Sequence, residues 1–521
     1  MDRNKTTQNV KTNKSRFGIS GVLYTLLLFV GFLCFFSAKW YVDTYGRIGF
    51  DSILFTLFSD LSGVQSDLIE RYLIGAALPC VLSTVAVSFL LFFPWRKKLG
   101  VLIQGKKIQL FPLSRLLSGI LAAVLSLSLI IHAAFNVQLV EHVINLMQES
   151  ELYEDRYVDP NSVSITFPEQ KRNLIYIFLE SMETSYLSKD HGGALDYNLI
   201  PELEALAQNN LNFSHNNTVG GLLEVPGASW TIGAMVAQTA GVPLVTPSDV
   251  SDWQNGYGKD GVFLPGLTSL SNILADNGYY QSLMVGSNAA FGGRETYYQT
   301  HETDKIYDLF TARKDHIVPY GYFVWWGMED LHLFKYAQQE LLEIAEKDQP
   351  FAFSMLTVDT HHIGGYTCQL CHSTYEESYE NAIACSSRQV AAFVEWLQAQ
   401  DFYENTTVII TGDHFSMDSG YFTRNVDKNY VRHGYNCFLN LPVEAVRTKN
   451  RQFSALDMFP TTLAAMGCSI EGDHLGLGVN LFSSEPTLIE RYGYKRFCSE
   501  LSKSSPFYAD HFYTAKEETA E

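Results

Sequence analysis

The stretch TTVIITGDH, residues 406–414, decides how the C-terminal half of this chain folds. Thr407, Val408, Ile409 and Ile410 are β-branched in succession. Branching at Cβ restricts the side chain and favours extended backbone. An apolar run without polar alternation reads as a strand covered on both faces, the habit of parallel sheets. The strand then runs into Gly412, Asp413 and His414. A carboxylate and an imidazole at the end of a buried strand call for a partner.

Other segments repeat the pattern. NLIYIFLE ends in Glu180, and FAFSMLTVDTHH ends in Asp359, His361 and His362. YQSLMVGS is a further strand. PELEALAQNN, WTIGAMVAQTA, SLSNILADNGY and SSRQVAAFVEWLQAQ have helical composition and lie between them. Strands alternating with helices predict an α/β domain with a mostly parallel central sheet. Ligands of such sheets bind beyond the carboxyl ends of the strands. Carboxylates and imidazoles gathered there are the mixed oxygen and nitrogen donors of a divalent cation.

The N-terminal part has another composition. Residues 17–38 and 73–95 carry no charged side chain, and 116–135 hold only His132 as a titratable group. Each is close to the roughly 20 residues that an α-helix needs to cross a bilayer. Arg3, Lys5, Lys11, Lys14 and Arg16 precede the first. Arg96, Lys97, Lys98, Lys106, Lys107 and Arg115 join the second to the third. By the positive-inside rule these two segments are cytoplasmic, so three crossings leave the rest of the chain outside the cell or in a periplasm. The first run is too long for a cleaved signal peptide. The expected organisation is a transmembrane part at 1–135, a juxtamembrane helix and linker at 136–170, a catalytic domain at 171–510 and a tail at 511–521. In Asn136–Tyr157 the helical spacing fits a stalk near the membrane surface and a helix packed on the next domain equally well.

Residues 1–115 hold 14 of the 37 basic and 6 of the 56 acidic residues. The remainder is therefore strongly acidic, which excludes nucleic-acid binding by charge. Six of the eight cysteines lie beyond the third span. CQLC (368–371), followed by His372 and Cys385, admits a zinc site or a local disulfide; with no fourth ligand at a fixed spacing, the disulfide is the preferred reading.

A nucleophile is sought in PGASWTIGAMVAQTAGVPL, where Pro226 and Gly227 make a turn and a helix starts near Ser229–Thr231. A hydroxyl there either caps the helix or sits in the positive field of its N-terminus, where a phosphate can be held.

The ordered set NLIYIFLESMETSY, PGASWTIGAMVAQTAGVPL, FGGRETYY, WGMEDLHLF, MLTVDTHH, VIITGDH, SALDMFPTTLAAMG and LGLGVNLF resembles the catalytic domain of lipoteichoic acid synthases and phosphoglycerol transferases. Both belong to the sulfatase/alkaline phosphatase superfamily. TIGAMVAQTAGVPL and TVDTHH are closer to the transferases that decorate periplasmic glucans. The resemblance implies that Glu180, Thr231, Asp413 and His414 hold one divalent cation, usually Mn2+, with Mg2+ or Zn2+ as alternatives. It makes Thr231 the catalytic nucleophile as well. Arg294 and His361 would hold substrate phosphate, and Phe291 falls where the synthases have tryptophan. His433 matches an additional histidine of some superfamily members. Gly412 is expected to let the backbone turn so that Asp413 and His414 face the cation.

The implied protein is a multi-pass enzyme of the cell membrane. It takes glycerophosphate from phosphatidylglycerol, through a covalent phosphothreonine, to an envelope glucan, glycolipid or polyglycerophosphate acceptor. The alternatives are a phosphoethanolamine transferase and a phosphodiesterase or sulfatase-like hydrolase. No cysteine stands in the C/S-x-P-x-R context that a formylglycine sulfatase requires.

Overall fold

The computed structural model describes residues 19–47, 49–58, 66–93, 95, 99–103, 106–245 and 261–514. The chain divides into two compact units, residues 1–43 with 66–140, and 44–65 with 141–521.

In the first unit, three helices among the described residues are long and apolar enough to cross a membrane: Ser20–Tyr45, Leu68–Phe92 and Arg115–Asn136. The first runs past the apolar stretch expected from sequence, because Lys39 and Asp43 pair one turn apart and continue it. The second starts earlier than expected and contains a wide turn at Leu73–Ala77. Where the helices touch, they use small residues. A Cβ on Gly31 would lie 2.8 Å from the Ser126 Cα, and one on Gly119 would lie 2.6 Å from the Tyr24 ring. Leu23, Leu82, Val85, Leu116 and Leu127 point outward, as in helices solvated by hydrocarbon. The charged connection after the second helix holds an antiparallel pair of strands, Leu99–Ile103 and Lys106–Phe111.

The second unit is built on a six-stranded sheet. Its strands are β1 (Asn173–Leu179), β2 (Tyr280–Val285), β3 (Lys305–Tyr307), β4 (Phe351–Leu356), β5 (Thr406–Gly412) and β6 (Asn436–Leu439), in the order β3-β2-β4-β1-β5-β6. All neighbours are parallel except β5 and β6. The four long strands are those expected from sequence; the short edge strands β3 and β6 complete the sheet. Ile175, Ile177 and Leu179 of β1 enter one buried cluster, while Leu174, Tyr176 and Phe178 enter another. Successive side chains thus feed cores on opposite faces, and this is why β1 and β5 lack polar alternation.

Register carries this order to the strand ends. In β1–β5 pairing Leu179 stands opposite Gly412, so Glu180 and Asp413 emerge side by side. The Asp413 amide donates to the Leu179 carbonyl at 3.1 Å. A one-residue slip would turn every one of these side chains to the other face.

The segment 136–157 is two helices, Leu139–Leu146 and Leu152–Arg156. Leu152 and Tyr153 of the second are buried in the core of the C-terminal unit, and the Ser150 amide donates to the Ser504 carbonyl at 2.9 Å. Of the two readings of this segment, packing on the domain is the one found for its second half.

Candidate active site

The helix Thr231–Ala240 begins at the nucleophile expected from sequence and ends at Gly241, whose φ of 66° is the left-handed stop of many helices. Trp230 is its N-cap and makes no side-chain capping bond. The Thr231 hydroxyl is therefore not spent on capping. It lies 3.3 Å from Nε2 of His414.

His414 is oriented from behind. Its Nδ1 donates to the Phe415 carbonyl at 2.8 Å, which leaves Nε2 as the ring acceptor. That nitrogen faces Oε1 of Glu180 at 3.5 Å and Oδ2 of Asp413 at 3.4 Å. The ligand atoms of Glu180, Asp413 and His414 all lie within 4.8 Å of one another. Each carboxylate is held by its second oxygen or its neighbours. Asp413 Oδ1 accepts the amides of Ser181 (2.8 Å) and His414 (2.7 Å), and Glu180 Oε1 accepts the Ser181 hydroxyl at 2.8 Å. Asp413 Oδ2 is buried with no hydrogen-bond donor.

Two buried carboxylate oxygens and an imidazole lone pair facing one point need positive charge there. Burial and the neighbouring Glu180 push the Asp413 carboxyl up to about 7. Burial acts to lower the His414 pKa, yet Asp413 and Glu180 outweigh it and the net shift is upward. A divalent cation fits this donor set, with Thr231 Oγ1 next to it.

Gly412 serves the site differently from the sequence-based expectation. It stays in the strand, and a Cβ there would lie 1.9 Å from the Met182 carbonyl oxygen. Close approach of the Glu180–Met182 segment to β5, rather than a turn, requires glycine. Gln238, on the Thr231 helix, takes a hydrogen bond from the Tyr176 hydroxyl at 2.7 Å and donates to the Gly412 and Asp413 carbonyls, both at 3.3 Å. This amide ties the helix to the end of β5.

Arg294 follows Gly292 and Gly293, both at positive φ, at the start of the helix Arg294–Thr300. It is buried and donates to Ser287 Oγ (2.9 Å) and the Asn288 carbonyl (2.7 Å), while its Nε has no partner. Burial lowers its pKa to about 10, against the opposing charges of Glu180, Asp308 and Asp413, so it stays cationic at neutral pH. Its guanidinium lies 5.7 Å from the Phe291 ring centroid. Phe291 in turn meets Trp326 at 5.7 Å, and Trp326 meets His361 at 4.5 Å. His361 Nδ1 donates to the His362 carbonyl at 2.7 Å, and burial lowers its pKa. Arg294, Phe291 and His361 are thus linked through Trp326, a residue inside WGMEDLHLF to which sequence reasoning gave no role. Asp359 is turned elsewhere: its Oδ1 accepts the Asp330 amide at 3.1 Å.

His433 is not among the three converging ligands. Its ring lies parallel to that of His215, with centroids 3.4 Å apart, and its Nδ1 donates to the Val431 carbonyl. Burial, then the His215 ring, lowers its pKa to about 3. A depressed histidine pKa gives stability that is present above the ordinary value of 6.5 and is lost as pH falls toward 3. Each imidazole that must charge on unfolding contributes a slope of at most about 1.4 kcal/mol per pH unit. Thermal stability of the wild type should therefore fall more steeply between pH 7 and 5 than that of His433→Phe. Equal slopes would contradict this account of the stack.

The sequence profile of the sulfatase family matches residues 172–468. Phosphoglycerol transferase I of Citrobacter koseri is 30% identical over 270 residues, which are 50% of this chain and 33% of that protein. Its Escherichia coli counterpart matches to the same extent. The chain thus spans about a third of the length of these relatives. Among solved structures, a protein of the alkaline phosphatase superfamily from Vibrio parahaemolyticus is similar with a TM-score of 0.47 and 21% identity. It covers 60% of this chain and 71% of its own. The lipoteichoic acid synthase LtaP from Listeria monocytogenes gives 0.49 and 16%, covering 64% and 82%. The matched profile spans the sheet and Glu180, Thr231, Asp413 and His414 at its carboxyl end, and on that match the chain belongs to the sulfatase family.

Proposed function

We propose that this protein is a membrane-anchored phosphoglycerol transferase. Residues 1–135 anchor it, and the domain at 171–510 works on the outer side of the membrane, as the charge distribution of the N-terminal segments favours. Glycerophosphate passes from phosphatidylglycerol to Thr231 and then to a hydroxyl of an envelope glucan, glycolipid or polyglycerophosphate. The observation that carries this reading is the Thr231 hydroxyl, first in its helix and not used as a cap, beside His414, Glu180 and Asp413. The 30% identity to a phosphoglycerol transferase supports the choice of headgroup.

Glu180, Asp413, His414 and Thr231 would hold the divalent cation, which the resemblance makes Mn2+; when bound it supplies charge that lowers the hydroxyl's pKa and offsets that of the phosphate. Thr231 Oγ1, its proton lost to solvent before the lipid arrives, forms the new bond to phosphorus, and the bond from phosphorus to the diacylglycerol oxygen breaks. Arg294, cationic and with Nε uncommitted, receives the phosphate oxygens. His361, its Nδ1 occupied by the His362 carbonyl, takes a proton on Nε2 as the charged phosphate binds beside it and gives that proton to the departing diacylglycerol oxygen. The same nitrogen then takes the proton of the acceptor hydroxyl, which displaces Thr231 from phosphorus.

The test is the mass carried by Thr231 after the purified chain meets phosphatidylglycerol and Mn2+ without acceptor. A glycerophosphate adduct on the peptide containing Thr231 is expected. An adduct formed only from phosphatidylethanolamine and containing nitrogen would transfer the assignment to phosphoethanolamine. No adduct from either lipid would leave hydrolysis as the reaction.

A further inference from the structure

The loop between β4 and the helix Ser378–Gln398 carries His361 near its start and CQLC at 368–371. All eight cysteines of the chain are free thiols in this structure, so the local disulfide expected from sequence is not formed. Three of the thiols converge instead. Cys368 Sγ lies 3.7 Å from Cys371 Sγ and 4.0 Å from Cys385 Sγ, and all three sulfurs fall within 4.8 Å of one another. A tetrahedral site with Zn–S bonds of about 2.3 Å has sulfurs about 3.8 Å apart at its edges. The spacing is that of sulfurs around a common ion rather than of a bonded pair.

Polar donors surround the sulfurs. The Leu370 amide donates to Cys368 Sγ at 3.4 Å, and the Cys371 amide donates to the Cys368 carbonyl at 3.0 Å. This tight turn aims backbone N–H at a ligand sulfur and brings Cys371 back beside it. Gln389 Nε2 donates to Cys385 Sγ at 3.7 Å. Arg388, three residues after Cys385, has its Nη2 buried without a hydrogen-bond partner. Three thiolates around a divalent ion leave one net negative charge, which Arg388 offsets. Leu331 and Tyr366 close the apolar side. His372 follows Cys371 directly and is exposed, an imidazole able to turn in as the fourth ligand.

We propose that Cys368, Cys371 and Cys385 form a second, structural metal site that takes Zn2+ and is separate from the one beside Thr231. It clasps the loop bearing His361 to the helix Ser378–Gln398. Binding displaces the thiol protons, so each zinc taken up releases them to solvent. The Tyr366 amide, two residues from the first ligand, donates to the Asp359 carbonyl at 2.7 Å and passes the restraint back toward His361.

The experiment uses the full chain in detergent with Asp413→Asn in place, so that the site beside Thr231 is impaired. One zinc per chain is expected to remain through dialysis, with X-ray absorption giving zinc–sulfur distances of about 2.3 Å. Adding Cys371→Ser, at the most accessible of the three ligands, should remove it. Should that variant fold poorly, the absorption spectrum of the parent decides alone: nitrogen and oxygen neighbours without sulfur would overturn the proposal. Absence of zinc would also overturn it. So would an intact mass two hydrogens short, with two of the three cysteines resistant to alkylation, because a disulfide would then occupy the site. None of these readouts depends on activity, so failure of the transferase reading leaves this test intact.

Discussion

Thr231→Ala should lower transfer of glycerophosphate from phosphatidylglycerol by about 10^4-fold or more, with no loss of stability. Removal of a nucleophile ends the covalent route and leaves only what binding and charge stabilisation give. The structural cost is small because the hydroxyl makes no cap and because alanine is favourable in a helix. Thr231→Ser keeps an oxygen on Cβ and should keep measurable turnover. The measurement is release of labelled diacylglycerol, with a melting curve of each variant as control. Release by the alanine variant within tenfold of wild type would remove Thr231 from the chemistry.

Asp413→Asn should weaken divalent-cation binding by about 10^2-fold or more, and activity at limiting Mn2+ should fall with it. The change is isosteric. Asparagine keeps an oxygen to accept the Ser181 and His414 amides, so the loop after β5 stays in place. What changes is the other atom: Oδ2, buried without a donor, becomes an NH2 facing Glu180 and His414. Excess Mn2+ should restore part of the activity, which separates lost affinity from lost folding. An unchanged Mn2+ dependence would show that this carboxylate holds no ion.

The central strands were legible because each is a long apolar run without alternation and each ends in a residue that water would otherwise claim. Edge strands β3 and β6 were not, since three and four residues leave no period to detect. Glu180, Asp413 and His414 could be named from strand ends because register in a parallel sheet sets neighbouring ends level. The role of Gly412 was misjudged because sequence shows a missing Cβ but not the carbonyl that would strike it. Trp326 carries no signal of a role in the sequence, since only the path of its loop brings it between Phe291 and His361. The cysteine cluster fell between two readings because spacing alone cannot tell where Cys385 returns along its helix.

The converging ligands come from residue 180, residue 231 and residues 413–414, each on a different segment of the chain. An incomplete polypeptide still on the ribosome therefore lacks this constellation altogether until β5 has docked on β1. The same separation would make an ion held there a staple across more than two hundred residues. By mass action each tenfold excess over its dissociation constant adds about 1.4 kcal/mol to the native state, so metal supply and resistance to unfolding rise and fall together.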